Sequence, residues 1–272
     1  MTINEPYIID ETPGFAVVFK PPRMHSAPIA RKEDGTQMTL FEWFVARKNS
    51  DFKNSEFKNS DFKNSAQSSV NLMHRLDFDT HGLVLFAKNA ESFEFFKELQ
   101  DKGGFIKEYS AICAGSVPEI DSSVPGFPPT PVLSAHEPSP EKPLVIESYF
   151  RPFGPGRKLV RPVIEDGKKH KEIAKDNGGF YRTEIININK NTFTIRLKRG
   201  FRHQIRCHLC WIGFPIQNDP LYPRTAEYGS VRDMALQACA LFFADPLTGK
   251  QREYRISPFV HEKEFNHEPA FS

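Results

Sequence analysis

Residues 74–82, His74-Arg75-Leu76-Asp77-Phe78-Asp79-Thr80-His81-Gly82, put a carboxylate and a cation immediately ahead of the apolar run Leu83-Val84-Leu85-Phe86-Ala87. Asp77 therefore stands where a solvated turn enters a buried strand. With Arg75 two residues before it and a glycine where the chain bends, such a carboxylate can be held as a nucleophile or general base while staying open to a substrate. An Asp near a Gly also commonly does no more than cap a turn. Three other segments bear on the choice. Lys20-Pro21-Pro22-Arg23-Met24-His25 is a basic loop leaving the apolar segment 15–19. Segment 105–111 presents Lys107 and Tyr109 on one face if it is a strand, because side chains two apart in a strand point the same way. Segment 199–206 carries His203 and Arg206 three apart, the spacing that shares a helix face.

The elements that must position these residues are legible from patterning. Thr39-Leu40-Phe41-Glu42 has the form of a capping box, and Leu40, Phe41, Phe44 and Val45 form an apolar stripe, so a helix starts near 39 and stops near 48. Residues 83–87 read as a short buried strand. Ala90, Phe93, Phe96, Lys97 and Leu99 recur at helical spacing, with Gly103-Gly104 as the stop. Segments 105–114, 144–150, 180–188 and 192–198 are rich in β-branched and aromatic residues and read as strands, the last two joined by a hairpin turn at Asn189-Lys190-Asn191. Ile205, Leu209 and Ile212 place a helix over 201–212, ended by Gly213. Segments 235–244 and 251–257 close the chain as a strand pair. The sum is an α+β fold with a large mixed, mainly antiparallel sheet flanked by helices.

Composition limits the function classes. At 272 residues and 39% hydrophobic content the chain supports a sizeable core and reads as a single domain. Lys and Arg total 36 against 34 Asp and Glu, so any nucleic-acid contact must come from local patches rather than from the overall field. Such a patch exists from Arg151 to Lys175 and again from Arg196 to Arg202, although Glu165, Asp166, Glu172 and Asp176 also suit an ordinary solvated face. The four cysteines fit free thiols in a reducing compartment. Cys207-x-x-Cys210 inside an amphipathic helix, with no second pair at metal-ligand spacing, reads as packing, so no metal is expected. No apolar run spans a membrane and no signal-type start is present, which points to the cytoplasm. The five-residue repeats at 48–65, KNSDF and KNSEF, form an insertion that reads as a solvated low-complexity loop rather than an RNA-contacting arm. Residues 118–143 are a Pro-rich loop. His-Arg-Leu-Asp also occurs in kinase catalytic loops, but no Gly-rich phosphate loop accompanies it here.

Together these segments carry a family resemblance. HRLDFDTHGLVLFAK resembles the HRLD-x-x-T-S-G-L-L-L-F-A-K signature of the RluA-type pseudouridine synthases, with Asp77 at the position of the catalytic aspartate. Residues 15–25 resemble the family's opening strand and Lys-Pro loop, and Lys107-Glu108-Tyr109 its K-x-Y strand. Gly200 to His208, with Gly213-Phe214-Pro215-Ile216 and Asp219-Pro220-Leu221-Tyr222, is similar to G-R-x-H-Q-I-R-x-H-L…G-x-P-I-x-G-D-x-x-Y. Leu236-Gln237-Ala238 and Asp245-Pro246-Leu247-Thr248-Gly249 resemble the L-H-A…H-P…T-G ending. The matches run from about residue 7 to residue 257.

The resemblance implies the pseudouridine synthase catalytic fold, with its active-site cleft between two lobes, and an enzyme that isomerises uridines in structured rRNA or tRNA without a cofactor. By position Asp77 is the covalent catalyst, Tyr109 the residue that stacks on the base and helps move a proton, and Arg206 the cation that pairs with Asp77. Arg75 is the candidate for gripping the extruded nucleotide, a step the chemistry requires. Lys20, His74, Thr80, Lys107, Arg202, His203 and Gln204 are the remaining RNA-contact candidates. The pattern begins by residue 7, so no N-terminal S4-type domain is expected, and neither is an obligatory protein partner, which leaves a monomer. An RNA-binding protein that has kept the fold without the catalysis is the rival reading. Departures from the pattern include His81 for Ser, Gln237 for His, Asn218 for Gly, Pro223 for Gly, and Arg23 and Met24 for small and apolar residues.

Overall fold

The computed structural model describes residues 5–28, 38–50, 70–114, 126–164, 180–222 and 233–257. Among these residues eleven strands join in one sheet, in the order β1-β2-β4-β10-β5-β9-β8-β6-β7, with β11 beside β10 and β3 beside β4. These are β1 (Tyr7–Glu11), β2 (Phe15–Lys20), β3 (Asn71–Leu72), β4 (His81–Ala87), β5 (Ile106–Ile112), β6 (Leu144–Phe153), β7 (Leu159–Val163), β8 (Tyr181–Asn189), β9 (Thr192–Leu197), β10 (Leu236–Ala244) and β11 (Gln251–Arg255). Every pairing is antiparallel except that of β4 with β10. The strands at the sheet centre are apolar on both faces. Phe15 to Lys20 is buried throughout, as is Gly82 to Ala87, so neither strand shows the alternation of a half-solvated sheet.

Among the described residues three α-helices flank the sheet: α1 (Leu40–Ser50), α2 (Ala90–Asp101) and α3 (Gln204–Trp211). The capping box opens α1 as expected, with the Thr39 N–H donating to Glu42 Oε2 at 2.8 Å and the Glu42 N–H returning to Thr39 Oγ1 at 3.3 Å. The helix continues to Ser50, two residues past the expected stop near 48, while repeat residues 51–65 lie outside the described residues. Asn89 caps α2 through Ser92, and Gly103, at φ 71°, turns the chain out of it. The Pro-rich segment enters the description at 126 and forms no helix or strand up to 143; residues 115–125, and the basic residues 168–175, lie outside the description.

The α3 helix is buried along its whole length. His208 ties it to the sheet, its Nδ1 meeting Thr183 Oγ1 at 2.8 Å and its Nε2 meeting Ser148 Oγ at 2.9 Å. Cys207 and Cys210 pack among Phe150, Val160, Tyr181 and Tyr222. They are core residues. Among the described residues no cluster could hold a metal ion, and no helix is long and apolar enough to cross a membrane.

Candidate active site

One cleft of about 820 Å³ collects most of the sequence candidates. One wall is the segment 72–78 and Thr80 with the loop 25–28; the other is 197–206; Lys107 and Tyr109 of β5 and Leu236 of β10 lie between. The two walls come from opposite halves of the sheet, which makes this the cleft between two lobes. Among the described residues, Arg75, Lys107, Lys198, Arg199, Arg202 and Arg206 line it against only Asp77 and Asp101. That balance suits a polyanion although the whole chain is nearly neutral.

Asp77 sits in a turn, the Thr80 N–H donating to its carbonyl at 3.2 Å, immediately before β4. The turn is anchored from both sides. Ser26 Oγ accepts from the Leu76 N–H at 3.0 Å and donates to the Leu76 carbonyl at 2.8 Å. Gly82, at φ 122°, lets β4 lie against β10: a Cβ there would fall 2.2 Å from the Ala238 carbonyl oxygen. The glycine of the motif thus sets the approach of two parallel strands rather than only a bend.

Arg206 lies almost fully buried and holds two carboxylates unequally. Its Nε and Nη2 form a two-pronged pair with Asp219, at 2.8 and 2.7 Å, while Nη1 reaches Asp77 Oδ2 at 3.2 Å. The Tyr222 ring faces the guanidinium, 5.5 Å from centroid to Cζ. Burial opposes the Arg206 charge, but the Asp219 hydrogen bonds and then the Asp219 and Asp77 charges outweigh it and hold its pKa above the ordinary value. Asp219 also accepts from the Leu221 and Tyr222 N–H groups, at 2.7 and 3.1 Å. Sequence reasoning assigned no role to Asp219 or Tyr222. An Asp followed by Pro announces a turn, and nothing in its neighbourhood announces a buried ion pair.

Tyr109 is buried in the cleft, and its phenol is pushed above its usual pKa by burial, then by the Asp77 charge and by Cys239. Lys107 donates to the Lys198 carbonyl at 3.0 Å and rests on the Phe105 ring; burial lowers its ammonium to about 8. His74 accepts from the Leu85 N–H at 3.2 Å, and burial, then the Lys107 charge, keeps it well below its usual pKa. Arg75 is exposed at the cleft, and Thr80 is buried in its wall. His203 is not within the helix. It occupies the left-handed cap position at φ 58°, so the shared-face argument fails, yet the cap turn still brings it into the cleft beside Arg206. Its Nδ1 meets the Tyr222 hydroxyl at 3.2 Å, and burial lowers its pKa to about 4.

Three candidates have their donors engaged within the protein. Lys20, expected to contact RNA, is fully buried outside the cleft lining, and its Nζ donates to the carbonyls of Pro21, Met24 and Phe78 at 2.9, 2.7 and 3.2 Å. An ammonium has three donors, so none remains for a phosphate; Lys20 instead pins the Lys-Pro loop to the turn of Asp77. Burial lowers it to about 7, against the pull of Asp77 and Asp79. Gln204 donates to the Arg182 carbonyl and Thr183 Oγ1, each at 3.0 Å, and accepts from the Phe201 N–H at 2.9 Å, which fixes the entry to α3. Arg202 is exposed at the cleft rim and spends one nitrogen on the Arg157 and Leu159 carbonyls, at 3.0 and 3.1 Å.

Two departures from the family pattern prove to be neighbours. His81 and Gln237 are register partners in the β4–β10 pair, so the two departures face each other across one ladder. His81 packs against Phe19, its ring 6.3 Å away, and burial, then the Lys20 charge, lowers its pKa to about 4.

Residues 14–211 match the RNA pseudouridylate synthase family. The chain belongs to that family. It is 26% identical over 190 residues to an uncharacterised RNA pseudouridine synthase, YjbO, of Bacillus subtilis, covering 69% of this chain and 55% of that one. It is 25% identical over 263 residues to the ribosomal large subunit pseudouridine synthase D of Zymomonas mobilis, covering 92% and 70%. The chain thus spans about half the length of relatives such as the Bacillus protein. The human RNA pseudouridylate synthase domain-containing protein 1 superposes with a TM-score of 0.59 at 17% identity, over 94% of this chain and 85% of that one, so the two share a fold.

Proposed function

We propose that the chain is an RNA pseudouridine synthase acting on specific uridines of structured RNA, ribosomal or transfer, with Asp77 as its nucleophile. The observation that carries this reading is the 3.2 Å contact of Arg206 with Asp77 in a cleft that also holds Tyr109. In the reaction the N1–C1′ bond breaks, the uracil turns over, and a C5–C1′ bond forms; C5 loses its proton and N1 gains one. Asp77 forms the transient covalent bond either to the uracil ring or to C1′, and its release restores the carboxylate. Tyr109, kept as a neutral phenol by burial, stacks on the base and helps carry the proton. The extruded state costs a few kcal/mol of lost stacking; Arg75 grips the displaced nucleotide, and Arg202, His203, His74 and Lys107 border its path. Thr80 shapes the wall beside the turn of Asp77. The reaction balances without a cofactor or metal, and the chain acts as a single catalytic domain, as a monomer in the cytoplasm.

The test is Asp77→Asn. Pseudouridine formation should fall to background while RNA affinity stays within about twofold. Wild-type protein that binds RNA and yields no isomerised uridine would make the chain a binder instead. Comparing pseudouridine maps of total RNA with and without the gene identifies the target.

A further inference from the structure

The β6–β7 hairpin carries a feature that the cleft does not use. Arg151 and Arg161 are direct partners in its antiparallel register, so their side chains emerge side by side on one face. Like charges placed opposite each other on a ladder repel. Both nonetheless line a second hollow, of about 290 Å³, with Gly126, Phe127 and Pro162, and no acidic residue lines it among the described residues.

The Arg161 guanidinium lies over the Phe153 ring, 5.6 Å from its centroid, and its Nη1–H donates to the Gly126 carbonyl. Its Nε–H is buried and meets no acceptor among the described residues. With Nη1 occupied, the edge left to a ligand is the Nε and Nη2 fork, whose parallel donors match two oxygens of a phosphate.

We propose that this hollow is a phosphodiester site for RNA continuing beyond the catalytic cleft, with Arg161 as the two-pronged donor and Arg151 as the second cation. The proposal rests on the RNA reading given above. The hairpin adjoins the cleft rim, because Arg202 lines the cleft and binds the Leu159 carbonyl. Arg161 lies two residues further along β7, about 7 Å at strand spacing. A backbone leaving the cleft past Arg202 therefore meets Arg161 next. A phosphate there supplies the missing acceptor and relieves the repulsion of the arginine pair.

The test measures binding of a fluorescent twelve-nucleotide oligouridylate by the full chain, in an Asp77→Asn background, at salt from about 50 to 200 mM. In Arg151→Gln/Arg161→Gln, affinity at low salt should fall severalfold, and the slope of log affinity against log salt should shrink by about 0.7, the value of one single-stranded phosphate. Arg161→Lys should keep the slope and lose affinity, since it retains the charge without the fork. Unchanged thermal unfolding in all variants separates these effects from misfolding. An unaltered slope in the double variant, or no binding of the oligomer by the unsubstituted arginine pair, overturns the site. If inorganic phosphate displaces the oligomer at matched ionic strength and the arginine variants abolish that displacement, the hollow holds free phosphate and the RNA assignment is overturned. Because the readout is binding, absent pseudouridine would sink the catalytic reading alone.

Discussion

Arg206 joins the candidate chemistry to the core, and its two carboxylate partners make different demands. Asp77 faces the cleft; Asp219 is buried and has no other charged partner as close as Arg206 among the described residues. Removing the guanidinium strands a buried carboxylate, so Arg206→Ala should lower stability by about 3–5 kcal/mol as well as cripple turnover more than RNA binding. Arg206→Lys keeps the charge without the fork and is the better probe of turnover. Asp219→Asn should lower kcat more than it raises KM, because it loosens the guanidinium without removing it; parallel unfolding and kinetic measurements separate these outcomes. The sequence made Asp77, Tyr109 and Arg206 legible through residue type, spacing and resemblance. It placed Asp219 and Tyr222 within the resemblance without a role, and it cast Lys20 as an RNA contact, because a pattern of residue types does not reveal which donors are already satisfied by backbone carbonyls.

At the scale of elements, patterning located the three helices and strands β2, β4–β6 and β8–β11 to within a few residues, since buried strands and amphipathic helices repeat at distinct periods, and it left β1, β3 and β7 unannounced. The connecting turns made the β8–β9 and β10–β11 pairs legible, but the sequence did not reveal which strands distant in the chain lie side by side. That fact is what unites His81 and Gln237 across the β4–β10 ladder. Their stabilities should be coupled: His81→Ser and Gln237→His should each destabilise, while the double substitution should recover at least about 0.5 kcal/mol of the summed loss in an unfolding cycle. Additive effects would show that the two positions act independently. Gly82→Ala, by contrast, must push β4 from β10 and should deplete folded protein outright in a solubility assay.

At the scale of the whole molecule, burial of neutral histidines sets the acid limit. His81 and His203 are lowered to about 4 and His208 to about 3, all chiefly by burial. Between these values and the ordinary value near 6.5 the unfolded chain binds more protons than the folded one. Stability is therefore present above pH 6.5 and declines below it, by up to about 1.4 kcal/mol per pH unit for each histidine. Thermal unfolding should show Tm falling by several degrees from pH 7 to pH 5. His208→Gln should flatten part of that dependence.

The pairing of Gly82 with Ala238 also has a consequence in time. The strand that follows the Asp77 turn finds its parallel neighbour roughly 150 residues later in the chain, which at 5–20 residues per second is about 8–30 s of synthesis. During that interval a nascent chain can display the aspartate and the arginine-bearing turn without the neighbour that fixes them. The cleft that holds the Asp77 turn is thus completed late in translation, only after β10 has emerged.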